Sequence, residues 1–467
     1  LNAFRFPEGR HAWADGHFRA RKVQHMTAHK HFKQLVRSRM KKTGEGYATA
    51  RRHILRQSAP GQPARDLRWH FAGSVPATTA LRGLLAHAGV RDPHTGEPFS
   101  EAMLFGIAGG IGIGVFAFLY EKENFASFFL AGRHLLHDSL TYLQSACKRL
   151  GIKPVVQETA GAKAAEHQLR SALAARGPCV AWVDAAHLPH RAMPVHASGS
   201  AYHVITVYRI DENDQTASIG DRTDEPITIG LADLARARAR IKKDKHRLLS
   251  IPASASPADL AALVRGGLRA CYDGLAGAGG IKSAATNFSL KAIRIWADRL
   301  DSSKDNERWE RVFARGPRLW QGLTSVYDFI EHYGTGGGLC RPLFAEFLTE
   351  AVSAGADARL ADLAIRYAEL GRAWSALADA ALPDEVPVCR EAKELFARKA
   401  ELIDGGGSPD EIRAASARLD ELRPRSPDQF PLTEAECADL RARLKARVQA
   451  LYDAEVTARD AIGQAIA

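Results

Sequence analysis

The sequence has no Cys-x-x-Cys pair: its six cysteines, at 147, 179, 271, 340, 389 and 437, stand far apart. That excludes the usual zinc-ribbon and thioredoxin-type signals. Scattered thiols in a chain of 467 residues fit a reducing compartment, where they serve as small buried apolar side chains, so a cytoplasmic location is expected. No uncharged run is long enough to cross a bilayer. The best, residues 103–119, has 17 residues of which five are glycine, whereas a crossing helix needs about 20 mostly apolar residues. A buried Gly-rich loop leading into a strand is expected there. The first residues hold no apolar stretch like that of a secretory signal. The glycines at 106–114 lack both the Gly-Lys-Ser/Thr of a phosphate loop and the spacing of a dinucleotide fingerprint, which points to close backbone packing.

Acidic residues are nearly missing from 26–60, where Glu45 stands against nine Arg and Lys. This segment (+8) and residues 1–25 (+3) account for the whole formal net charge of +11. The rest of the chain is balanced and needs no polyanionic partner. With 46% hydrophobic and 25% charged residues, the composition is that of a globular protein and excludes a wholly disordered or fibrous chain.

Four regions follow from periodicity and its breaks. In region 1–60, Phe32, Leu35, Val36 and Met40, then Tyr47, Ala50, Ile54 and Leu55, recur at helical spacing around the turn at 43–46. A basic extension and two short helices are expected, closed by a Pro-rich linker. Region 64–250 opens with a helix over 77–88 and another within 132–150, then turns to strands at 153–157, 178–183, 202–210 and 216–219 and a short helix at 231–240. Region 257–355 is helical, with Ser256 as the cap of a helix from Pro257 and a Gly-rich break at 334–338. Region 356–467 is a helical bundle whose surest helix covers 441–467, with Thr433 as an earlier start.

The segments Thr78-Thr-Ala-Leu-Arg-Gly-Leu-Leu-Ala-His87, Ser100-Glu-Ala-Met-Leu-Phe-Gly106, Tyr202-His-Val-Ile-Thr-Val207 and Gly220-Asp221 follow one another in the order of the N-terminal domain of the butirosin biosynthesis protein H family, which the chain resembles over roughly 68–250. The stretch from Tyr333 through Gly336-Gly-Gly-Leu-Cys-Arg341 to Leu348 resembles the helical domain of unknown function that commonly follows it. The resemblance implies a papain-like fold, so the expected class is α+β: a papain-like domain, a mostly α-helical C-terminal half and a small basic helical N-terminal module. Its best-known member moves an acyl group from an acyl carrier protein thioester onto an aminoglycoside amine.

The family pattern places a nucleophilic cysteine where Pro76 stands, usually after a histidine where this chain has Val75. The later histidine corresponds to His203 and the orienting aspartate to Asp221. In such a trio the thiolate is stabilised at a helix amino end, and the imidazole moves the proton. Pro76 has no nucleophile and suits a helix first turn, and nothing in the motif recruits Cys147. Ser74 is either the helix cap or a replacement nucleophile, while Thr78 and Thr79 fall within the helix. His203 either packs in its strand or handles a proton, and Asp221 either orients it or shapes a turn. The expected catalytic set is therefore His203, Asp221 and Ser74, or a substrate amine attacking directly with help from His203. The rival is a catalytically inactive descendant that binds a small molecule, a carrier protein or a nucleic acid.

The resemblance places 184–196 beside the cleft, so Asp184, His187 and His196 are expected to touch substrate. Together with His190 and His203 they could ligate a metal if they converged, but Pro189 and Pro194 break the segment; no metal and no cofactor is expected. The loop at 336–338 leads into a helix and could present N–H groups to an anion beside Arg341, although the same glycines serve simply to end one helix and enter the next. Lys33, Arg37, Lys41, Lys42, Arg51 and Arg52 are candidates for nucleic-acid phosphates within 26–60, without a known recognition signature; the same surface could receive an acidic carrier protein. A homodimer is left open.

Overall fold

A computed structural model describes residues 34–44, 50, 72–132, 139–194, 197–277, 286–301 and 307–467. The chain divides into two compact units, Leu1–Pro60 and Gly61–Ala467. In the first, a helix over 34–43 buries Val36 with Met40 and Ala50 and exposes Arg37, Lys41 and Lys42. Lys33, Arg51 and Arg52, with most of the second expected helix, lie outside the described residues.

In the second unit, Pro76 opens helix α1 (Pro76–His87), where its missing N–H leaves no helical bond unmade. Ser100 caps α2 (Glu101–Ile107), its hydroxyl accepting the Met103 N–H at 2.8 Å. The Gly-rich loop then enters a hairpin, β1 (Gly114–Tyr120) and β2 (Phe125–Ala131), as the pattern at 103–119 implies. After α3 (Ser139–Arg149) come β3 (Val155–Gln157), α4 (Ala162–Arg176), β4 (Cys179–Asp184), β5 (Tyr202–Asp211), β6 (Thr216–Gly220), β7 (Ile227–Gly230), α5 (Leu231–Arg240) and β8 (Leu248–Ser250). Six of these strands form one antiparallel sheet in the order β3-β8-β4-β5-β6-β7. The central β4, Cys-Val-Ala-Trp-Val-Asp, is buried at every position. That explains its unbroken apolar run.

Side chains alternate between the faces of a strand, and the sheet separates two cores accordingly. Val180, Trp182, Val204 and Leu249 join the core shared with α1, α2 and the hairpin. Ala181, Val183, Ile205 and Val207 face Leu169 and Ala172 of α4 and Leu234 and Ala237 of α5.

The remaining chain is helical: α6 (Leu260–Ala276), α7 (Lys291–Leu300), α8 (Trp309–Val312), α9 (Pro317–Glu331), α10 (Arg341–Ser353), α11 (Leu360–Ala381), α12 (Pro387–Asp404), α13 (Pro409–Glu421) and α14 (Glu434–Ile466). Thr433 and Glu436 form a reciprocal capping box at the start of α14, so this helix does begin at the earlier of the two expected starts. An α+β domain followed by a mostly helical half is thus the observed architecture. Among the described residues no helix is long and apolar enough to cross a membrane.

Two expected caps are corrected. α6 is capped by Asp259, whose carboxylate accepts the Ala262 N–H at 2.8 Å, while Ser256 accepts the Arg91 N–H instead. Ser74 does not cap α1; Val75 holds that position without a side-chain bond.

The expected packing role of the glycines is met at Gly106. A Cβ there would lie 2.1 Å from Cγ of Phe347 in α10, and one at Gly267 in α6 would lie 2.4 Å from the Gly106 carbonyl oxygen. Gly106→Ala should therefore lower stability by about 1–3 kcal/mol through overpacking, read as a lower urea midpoint with an unchanged m-value.

Candidate functional site

Thr206 pairs with Gly220 in the β5–β6 ladder. Extending that register by one residue sets Asp221 across from Ile205, on the face that also carries His203. The Asp221 side chain is fully buried and gathers three partners. His203 Nε2 lies 2.7 Å from Oδ1, and His190 Nε2 lies 2.7 Å from Oδ2. Arg191 donates through Nε to Oδ2 at 2.7 Å and through Nη2 to Oδ1. His190 and Arg191 stand on a 3-10 turn, Pro189–Arg191, that follows β4.

Burial alone would raise the Asp221 pKa, but the Arg191 charge and the bonds from both histidines outweigh it and hold the carboxyl well below its usual range. Burial pulls the His203 pKa down, and its attraction to Asp221 does not fully restore it. The carboxylate is thus ionised and the imidazole neutral near pH 7. Arg191 Nη2 is 2.9 Å from His203 Nε2, and both converge on Oδ1. The His203 proton accordingly sits on Nε2, directed at the carboxylate, while Nδ1 has no hydrogen-bond partner among the described residues.

The amino end of α1 is built by a residue that the sequence reading did not single out. The buried Glu101 carboxylate accepts the N–H groups of Ser74 and Val75 at 2.8 and 2.7 Å and the Thr79 hydroxyl at 3.2 Å. An anion beside free N–H groups at a helix amino end is electrostatically favoured. Between α1 and β5 remains a cavity of about 10 Å³, lined by Pro76, Thr79, Val204, Thr206, Asp221 and Arg222 among others, room for roughly one water. His203 does not line it. Val204, Thr206 and Tyr208 face α1, whereas His203 shares the alternate face with Ile205 and Val207.

The structure joins His203 and Asp221 and leaves Ser74 out: no bond links Ser74 to His203, whose polar contacts are Asp221 and Arg191. Asp184 is fully buried, and its carboxylate accepts the N–H groups of Ala186 and Gly199; that is a loop-shaping role and not a free substrate contact. His187 Nε2 is 2.9 Å from the Ser198 hydroxyl, and His196 lies outside the described residues. Arg341 is fully buried in the helical half, bound to Glu455 at 2.7 Å and to the carbonyls of Leu339 and Gly112. None of its partners belongs to the Asp221 cluster, so the reading of Arg341 as an anion-site residue is not met. Among the described residues no group of three or more His, Cys, Asp or Glu is placed to hold a metal.

The helical half approaches the same cluster. Asp404, the last residue of α12, pairs with Arg222 at 2.8 Å. His332, after α9, has both ring nitrogens buried without a hydrogen-bond partner among the described residues and packs on the Tyr327 ring at 5.5 Å.

Residues 76–222 match the family described as Butirosin biosynthesis protein H, N-terminal, and residues 232–401 match the Domain of unknown function (DUF4872). The chain thus carries a domain like the former followed by a helical domain like the latter. No curated protein matches it.

Removing the Asp221 charge as Asp221→Asn should cost about 3–5 kcal/mol, because Arg191 stays buried without its counter-ion; equilibrium urea unfolding reads this directly. Burial holds His332 at about 4, below its ordinary value of 6.5. The folded state therefore binds fewer protons than the unfolded state between those values, and this contribution to stability is present above pH 6.5 and lost as pH falls toward 4. The stability difference between the natural protein and His332→Gln should shrink over that interval.

Proposed function

We propose that this chain is a catalytically silent relative of papain-like acyltransferases, a binding protein for the small amine or the carrier-linked acyl group that such enzymes join. One observation carries the reading: the helix start that would present a nucleophile holds Pro76, and among the described residues the only polar contacts of His203 are Asp221 and Arg191. Further features agree with it. The Ser74 and Val75 N–H groups already serve Glu101, so a developing oxyanion there would have to compete with a carboxylate. All six thiols are buried; burial pushes Cys147, Cys179 and Cys389 up to about 12, which keeps them protonated and unreactive near neutral pH.

A second reading is favoured by the partnerless Nδ1 of His203. A substrate amine could attack an acyl thioester directly: the C–N bond forms, the C–S bond breaks, and the amine proton passes to Nδ1 and then to the departing thiolate. No acyl-enzyme arises on that route.

The two readings part in one experiment. The purified chain is mixed with an acyl N-acetylcysteamine thioester and a primary amine, with amide product and intact protein mass both followed. Silence predicts no adduct and no amide above background, together with saturable binding of one of the two compounds by calorimetry. Amide formation that His203→Ala abolishes would overturn it in favour of direct transfer. Pro76→Cys alone should not create a fast acyl-enzyme, and its thiol should titrate near the unperturbed value of about 8.5, measurable from the pH dependence of alkylation.

A further inference from the structure

Arg222 follows Asp221 directly, and its backbone stands at φ +62°, in the left-handed region that an arginine enters only when its surroundings hold it there. Three contacts do so. The Arg222 carbonyl accepts the Gly73 N–H at 3.4 Å, and Nη1 donates to the Ser74 carbonyl at 3.2 Å. Nη2 lies 2.8 Å from Asp404 Oδ1. The first two fasten the segment that enters α1; the third reaches out of the helical half.

The Asp404 contact is an enclosed ion pair without hydrogen-bond geometry. The two side chains are only 9% and 14% exposed, so salt screens the pair weakly. Asp404 also ends α12, where the helix dipole disfavours a negative charge, and Arg222 supplies the compensation. The turn carrying His190 and Arg191 packs against α13 of the same half, so two neighbouring helices bear on the cluster.

We propose that Asp404 is a positioning residue for the Asp221–His203 pair, through which the helical domain sets the Arg222 clamp and hence the peptide carrying Asp221. This goes beyond the binding role above and holds whether or not the chain turns over a substrate, because the test reads the site without activity.

The test uses the full chain, with the His203 ring resonance identified by its loss in His203→Gln. Asp221 and Arg191 contact that ring, and Arg222 also acts on it through its charge. In Asp404→Asn, Arg222 loses its counter-ion. The His203 titration midpoint should fall by roughly half a unit, and the Gly73 amide should exchange about tenfold faster, equivalent to about 1.4 kcal/mol. Asp404→Glu should restore both. An unchanged midpoint and exchange rate in folded Asp404→Asn overturns the proposal, as does failure of Asp404→Glu to restore them. Should Asp404→Asn not fold, Arg222→Lys decides: it keeps the charge but cannot hold Ser74 and Asp404 together, and an unchanged Gly73 exchange rate in that variant is equally fatal.

Discussion

A carboxylate taken wholly out of water must be ionised and paired or protonated, and Asp221 takes the first course with Arg191 and two histidines around it. Much of the site's geometry follows from that requirement. Arg191 must be delivered to the carboxylate, so the chain after β4 folds into a short turn instead of an open loop. His203 must aim Nε2 at Oδ1, which sets its tautomer. The peptide beyond Asp221 must bend, and Arg222 takes the strained conformation. Burying such a group is costly unless its hydrogen bonds are complete. The completeness of this one argues that the cluster is a structural keystone.

The amino end of α1 shows the complementary case. In a thiol enzyme such a helix end favours an anionic sulfur. Here a carboxylate from α2 meets the preceding N–H groups, and Pro76 begins the helix without needing one. Thr79, Ala80 and Gly83 of the helix adjoin Val204, Thr206 and Tyr208 of the sheet, so the packing of helix on sheet needs no nucleophile at position 76. Architecture depends on burial across a whole face, while chemistry depends on a single side chain.

The helical half is more than an appendage. Its residues share one continuous core with α1, α2 and the hairpin, and Phe347 of α10 packs into the space left by Gly106. Arg341, Glu455 and Trp374 form a second buried polar group, with Trp374 donating to the same Glu455 oxygen at 2.8 Å. That group ties α10, α11 and α14 to the Gly112 carbonyl of the loop entering the hairpin. The two matched domains are therefore joined both at the Asp221 cluster and through the core.

Elements with a strong period could be read directly. The helix at 76–87, strands β5 and β6 and the helix at 231–240 lie where their apolar spacing places them. The helix α4 was missed because only Ala165, Leu169 and Ala172 mark its buried stripe, too sparse a signal to stand out. The His203–Asp221 pair was legible because two strands of one ladder carry it. Glu101, His190 and Arg191 were not, since a partner 26 or 30 residues away is selected by folding and not by spacing. The partner of Arg341 was not legible for a related reason: a Gly-rich loop before a helix looks the same whether it faces a ligand or a buried glutamate. By itself the sequence determined where regular structure forms and that position 76 cannot attack, because propensity and side-chain chemistry are local. Only the tertiary structure decided which charge neutralises which, because counter-ions are chosen by what burial brings within reach.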